Sequence, residues 1–253
     1  MPLAENTIFL IAVMMLLVSP ATGSFLKFWA DRLSDGTGVV GVGSRCDRCA
    51  QPLASRDVIP ILSWVLSRGK TRCCRKDIRY GHISAETTAV GLALWGWFAA
   101  PEHLVVHSLV VAWLLQGIAL LSAPGRRAAF ALSIILAGLG IVWSHAGLLG
   151  PFEPHLMGAL MGASFAALGI LDKVRGAPTL ILLPAGALLG VTALPVAIFL
   201  GIAIALAHRG WCKLAKRAGT PHATSVATGL AGGVWLVWLY GPTFGLPIEF
   251  FGY

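Results

Sequence analysis

Eight runs of apolar residues constrain this chain more than any other feature. They lie at 7–26, 84–100, 104–122, 128–147, 155–171, 178–192, 193–208 and 223–240. Most have the roughly 17 to 25 residues that cross a bilayer as a helix, the sixth and seventh being short. Backbone polar groups in lipid must be satisfied within the segment, so such runs predict helices. The chain is 57% hydrophobic and only 12% charged, which leaves too little polar surface for a water-soluble globule. The expected fold class is therefore an all-α polytopic membrane protein with about eight transmembrane helices. The first run follows MPLAENT, which carries Glu5 and no Lys or Arg. A secretory signal needs a basic leading segment, so the first run reads as a retained anchor.

Placing the N-terminus outside puts 27–83, 123–127, 172–177 and 209–222 in the cytoplasm, and all 19 Lys and Arg fall in those four segments. The outer segments hold Glu5, Glu102, Glu153 and Glu249 without a basic side chain. By the positive-inside rule this predicts both termini outside and the main loop cytoplasmic. The formal net charge of +8 then reports orientation. No basic face with interleaved aromatics stands apart from it, and no nucleic acid is expected as a partner. Membrane lipid is expected, and the basic stretch from Arg209 to Arg217 is placed to meet anionic headgroups.

The sequence divides into a first transmembrane helix at 1–26, a Cys-containing cytoplasmic domain at 27–83, and a seven-helix membrane domain at 84–253. The cytoplasmic piece is too small to build much core without a staple. Four of the five cysteines lie in it, as Cys46-Asp-Arg-Cys49 and the adjacent pair Cys73-Cys74, with Cys212 elsewhere. In a reducing compartment the two-residue spacing reads as a zinc knuckle, because both soft sulfurs reach one ion. Adjacent cysteines are not expected to serve one ion easily, and His82 or Cys212 are candidates to complete the shell. A metal-free degraded knuckle and redox use of Cys73-Cys74 stay open beside it.

The run Gly23-Ser-Phe-Leu, the segment Ser44-Arg-Cys-Asp-Arg-Cys49, Pro52-Leu53, Asp57-Val-Ile-Pro-Ile-Leu-Ser63-Trp and Arg68-Gly69-Lys70 carry a resemblance. They are similar to the N-terminal region of the bacterial type IV prepilin peptidases, and the match continues through Ile78 to Glu86. The resemblance implies eight spans in the bacterial inner membrane, prepilin or pseudopilin-like substrates, and a type IV pilus or type II secretion context. It also implies an aspartic endopeptidase, and methyl transfer from S-adenosylmethionine to the new N-terminus. Within the loop, the family's third cysteine falls on Thr71 and the fourth on Cys74, with Cys73 an extra neighbour, and Gly81-His82-Ile83 replaces the family's Arg-Tyr-Pro.

The departures in the second half bear on catalysis. An aspartic dyad needs two carboxylates sharing a proton, one as base and one as acid. The family's two aspartate positions fall on Ser122 and Pro178, and neither side chain is an acid. Asp172, in Gly169-Ile-Leu-Asp172-Lys173, is a weak substitute, because an ion pair with Lys173 or Arg175 explains it and no carboxylate lies between Glu102 and Glu153. No confident catalytic residue is expected.

Other features invite blander readings. Gly36-Thr-Gly-Val-Val-Gly41 satisfies a dinucleotide pattern but precedes no helix, so it reads as a tether. His103, His107, His145 and His155 lie near the outer side with no shared spacing, and no role is assigned to them. Gly158, Gly162, Gly186 and Gly190 have the spacing of close helix packing. Three functional readings follow: a peptidase-dead protein that binds prepilin-like segments, a retained N-methyltransferase, and an active leader peptidase that uses Asp172.

Overall fold

The computed structural model describes residues 2–36, 43–46, 48–78, 80–171, 178–214 and 222–246. Every predicted apolar run is helical: α1 (Pro2–Ser34), α3 (Tyr80–Ala99), α4 (Val105–Leu121), α5 (Arg126–His145), α6 (Phe152–Leu171), α7 (Leu182–Leu214) and α8 (His222–Tyr240). A short α2 (Leu62–Leu66) lies in the loop. The fold is an all-α polytopic membrane protein, and among the described residues there is no strand. Phe9–Ser34, Glu102–Leu121, Arg126–His145 and Pro178–Leu214 are each long and apolar enough to cross a membrane, and Ser225–Tyr240 is a shorter apolar helix.

Two boundaries differ from expectation. α1 runs on to Ser34, eight residues past the predicted end, because Lys27 and Asp31 pair one turn apart and support a polar extension. The sixth and seventh runs are two helical segments, written together as α7, that part at Gly190 (φ 75°, ψ 173°), a few residues before the predicted division at 192/193. That backbone geometry is open to glycine and closed to most residues, which places the break here.

The chain divides into two compact units, Met1–Trp113 and Leu114–Tyr253. In the first, α1 packs on α3. A Cβ on Gly23 would stand 2.5 Å from the Ala85 carbonyl oxygen, so glycine and alanine let the two backbones approach closely. Ala12, Ala93 and Leu109 form a buried cluster, with Met15, Leu16 and Trp97 packed against it. Trp113 Nε1 donates to Ser19 Oγ at 3.2 Å, satisfying an indole that burial would otherwise penalise. Phe9, Met14, Leu17 and Val18 face outward, as lipid contact requires.

In the second unit α7 packs on α6 and α8. A Cβ on Gly158 would meet the Gly186 carbonyl oxygen at 2.4 Å, and one on Gly229 the Gly201 carbonyl oxygen at 2.5 Å. His155, assigned no role from sequence, is buried, with Nδ1 3.0 Å from the Ala187 carbonyl oxygen and Nε2 2.8 Å from that of Leu149. It ties α6 to α7 one turn before the Gly190 break.

Candidate functional site

The loop between α1 and α3 is built from two small hairpins with one geometry. In the first, Arg45 bridges Pro52, Cys46 N–H donates to the Gln51 carbonyl at 2.9 Å, and Ala50 N–H donates to the Cys46 carbonyl at 2.8 Å. In the second, Lys70 bridges Asp77, Thr71 N–H donates to Lys76 at 2.8 Å, and Arg75 N–H donates to Thr71 at 2.9 Å. Ala50 and Arg75 close the turns at φ 59° and φ 57°. Thr71 therefore holds the place of Cys46, and Cys74 that of Cys49.

The four thiols converge. Their Sγ atoms all lie within 4.8 Å of one another, with Cys46 to Cys74 at 3.9 Å and Cys49 to Cys73 at 3.3 Å. Four sulfurs on one zinc with bonds of about 2.3 Å would stand about 3.8 Å apart, so the donor set fits a soft divalent ion. The expectation that adjacent Cys73 and Cys74 cannot easily share an ion is corrected: the tight turn ending at Arg75 brings both side chains to the cluster. His82 is not recruited, since its Nε2 meets Asp31 Oδ2 at 3.1 Å. Cys212 belongs to the other unit, 3.8 Å from His208 Nε2.

The electrostatics suit a cation. Burial opposes ionisation of Cys46, but the backbone amides of Arg48 and Cys49 outweigh it and hold its pKa below the usual thiol value. The Thr71 hydroxyl, 3.1 Å away, and the Lys76 amide bring Cys74 down to about 7. Hydrogen bonding to Cys49 and Cys46 pushes Cys73 up to about 12. Thiolate character is the form that binds metal.

Beside the cluster, α1, the loop and α3 enclose a cavity of about 660 Å³. Asp57 braces one wall, accepting from Ala54 N–H at 3.3 Å and pairing with Arg72 Nε at 3.2 Å. The ring of Trp64 packs over Gly69 (φ 74°), where a Cβ would stand 3.2 Å from the ring. Trp64 Nε1 is buried with no partner among the described residues. Glu86, buried on α3, accepts from Ile61 N–H at 2.7 Å. Ile61 adopts φ 59°, ψ −52°, a costly conformation for a β-branched residue. Sequence reasoning noted Glu86 only as a motif residue. It missed the Asp31–His82 pair, whose available signal was the Lys27/Asp31 spacing that lengthens α1.

Elsewhere, Ser122 is fully buried at the end of α4, its hydroxyl donating to the Ile118 carbonyl. Pro178 is buried and opens the short 3-10 turn Pro178–Ile181. Asp172, Lys173 and Arg175 lie outside the described residues, as do 37–41 of the glycine-rich tether and Glu249.

Fold and site together define a multi-pass helical membrane protein with a four-cysteine loop between its first two long helices. Residues 17–99 match the bacterial peptidase A24 N-terminal domain. The prepilin leader peptidase/N-methyltransferase of Klebsiella pneumoniae is 28% identical over 150 residues, covering 56% of this chain and 65% of the relative. That of Neisseria gonorrhoeae is 28% identical over 188 residues, covering 68% and 64%. That of Bacillus subtilis is 25% identical over 235 residues, covering 87% and 90%. The chain thus spans just under two thirds of the length of the first two relatives. No solved structure matches. The chain is similar to the bacterial prepilin leader peptidases, and its residues 17–99 carry their N-terminal domain.

Proposed function

We propose that this protein binds prepilin-like segments in the inner membrane, within a type IV pilus or type II secretion system, without aspartic endopeptidase activity. What supports the reading is that, on the sequence resemblance, the two aspartate positions fall on a serine, Ser122, and a proline, Pro178. Neither can donate or accept a proton as a carboxyl group does, and a dyad needs both acids. Support for binding comes from the loop, where hairpins, cysteines and cavity are all formed. On this reading both termini lie outside, the loop faces the cytoplasm, and zinc on Cys46, Cys49, Cys73 and Cys74 holds the two hairpins together. Zinc here supplies structure, fixing a loop with little apolar core of its own.

The test is incubation of the detergent-solubilised protein with prepilin substrates, following mass, beside a relative that has both acids. No cleavage with the relative active is expected. Cleavage would overturn the reading and make Asp172→Asn the first variant to assay. A second reading, N-methyl transfer from S-adenosylmethionine, is favoured by the cavity, which lies within the segment matching the A24 N-terminal domain. Methylation of a pre-cleaved pilin N-terminus would support it.

A further inference from the structure

α2 has two unlike faces. Ser63, Trp64 and Ser67 turn toward the cavity and line it. Leu62, Val65 and Leu66, at the i, i+3, i+4 spacing of one helical face, lie outside that lining and are 50–65% exposed, with Ile59 exposed just before them. A helix of five residues is too short to hold itself in water. Large apolar side chains exposed singly are ordinary, but a contiguous set with a basic rim marks a contact surface.

The level of α2 along the spanning helices indicates what covers that face. Its N-cap, Ile61, donates to Glu86 at 2.7 Å, and Glu86 is the third residue of the apolar run 84–100. The α1 residues that share the cavity with Ser63 and Trp64 include Ala21, Ser24 and Phe25, all inside the membrane-length apolar segment Phe9–Ser34. α2 is thus level with the turns where α1 and α3 reach the edge of the bilayer. Its flanks are cationic: Arg56, Arg68 and Lys70 are exposed, while the acid of this stretch, Asp57, is paired with Arg72. An apolar face at the bilayer boundary, rimmed by basic side chains, has the chemistry of an interfacial helix on anionic lipid.

We propose that α2 is an interfacial anchor, its Leu62, Val65 and Leu66 face entering the acyl boundary of anionic phospholipid while Arg56, Arg68 and Lys70 meet the headgroups. The loop is then pinned to the membrane at a third point between α1 and α3, which holds the cysteine hairpins close to the bilayer surface.

The experiment places a fluorescent amino acid at position 66 of the full-length protein in lipid nanodiscs of phosphatidylethanolamine and phosphatidylglycerol. It is quenched either by nitroxide on the upper acyl chain or by aqueous iodide. Quenching by the nitroxide lipid with little by iodide is expected. Leu62→Asp should reverse that pattern, and Arg68→Gln should lower the ratio of lipid-buried to water-exposed label about fivefold. Quenching by iodide alone, or a ratio unmoved when phosphatidylcholine replaces phosphatidylglycerol, would overturn the proposal. Iodide quenching relieved by an added apolar prepilin-like peptide would also overturn it and give the face to a peptide instead. Should the labelled protein fail to fold, the native protein decides through a phosphatidylglycerol bearing a photoreactive acyl chain. Adducts on the tryptic peptide Asp57–Arg68 sustain the anchor, and adducts confined to the spanning helices overturn it.

Discussion

Replacing Cys73 by serine tests the metal cluster at its adjacent pair of cysteines. Structural zinc contributes about 10–16 kcal/mol to small metal-organised domains at neutral pH. An equal share for each of four thiolates is about 3 kcal/mol, or on the order of 100-fold in affinity. The geometry sharpens the expectation. Cys73 Sγ lies 3.3 Å from Cys49 Sγ, within reach of a shared ion, while Thr71 occupies the hairpin position that Cys46 holds in the first turn. Cys73→Ser should therefore weaken zinc on the order of 100-fold. The double change Thr71→Cys with Cys73→Ser restores a two-residue spacing and should recover most of the loss. Zinc would be counted by plasma emission spectrometry after dialysis against graded chelator. The pH dependence follows from the thiols: zinc displaces their protons, so affinity should rise with pH, and the rise should slacken above the Cys74 value of about 7, where that thiol has no proton left to displace. Native affinity in Cys73→Ser would refute this ligand set.

Two further outcomes concern the membrane unit. On α5, Gly138→Ala meets nothing within 4 Å and should be neutral or stabilising by up to about 1 kcal/mol through helix propensity. Gly140→Ala, 3.0 Å from the Ala187 backbone, and Gly158→Ala, 2.4 Å from the Gly186 carbonyl oxygen, should each cost about 1–3 kcal/mol by forcing helices apart. Thermal unfolding in detergent would show the contrast, at about 2–4 °C per kcal/mol for a chain of this size. His155→Phe should lower the melting temperature by a similar amount, since it strands a buried carbonyl at Ala187 or Leu149.

The fold was largely legible because lipid leaves few options: a long apolar run is a helix, and all eight runs are. The break in α7 was legible to within a few residues, at 192/193, but not the residue that makes it, because Gly190 has the same small-residue spacing as packing glycines such as Gly186, and only its backbone angles separate the roles. The cysteines were legible as a set, but their convergence was not. Residues adjacent in sequence point apart in an extended chain, and it takes the tight turn at Arg75 to bring Cys73 and Cys74 together. The contact of His82 Nε2 with Asp31 and the hydrogen bond from Ile61 to Glu86 join residues far apart in sequence. Neither leaves a periodic trace, so tertiary structure alone reveals them.

The proposed loss of the acid pair can be tested on stability as well as on cleavage. If Ser122 and Pro178 are the two aspartate positions, their side chains must stand close enough to share a proton. Ser122→Asp alone buries a carboxyl where a hydroxyl now satisfies the Ile118 carbonyl, and Pro178→Asp alone buries another. Each group enters without a partner and should destabilise by about 1–3 kcal/mol even as the neutral acid. Together, one carboxylic acid can donate to the other, so the double variant should be less destabilised than the sum by about 0.5–3 kcal/mol. The coupling should fade as pH rises and both acids are driven to ionise, since two adjacent carboxylates repel. Strict additivity in a double-mutant cycle of unfolding free energies would mean the two positions do not face one another. The assignment of Ser122 and Pro178 would then be wrong, whatever the cleavage assay reports.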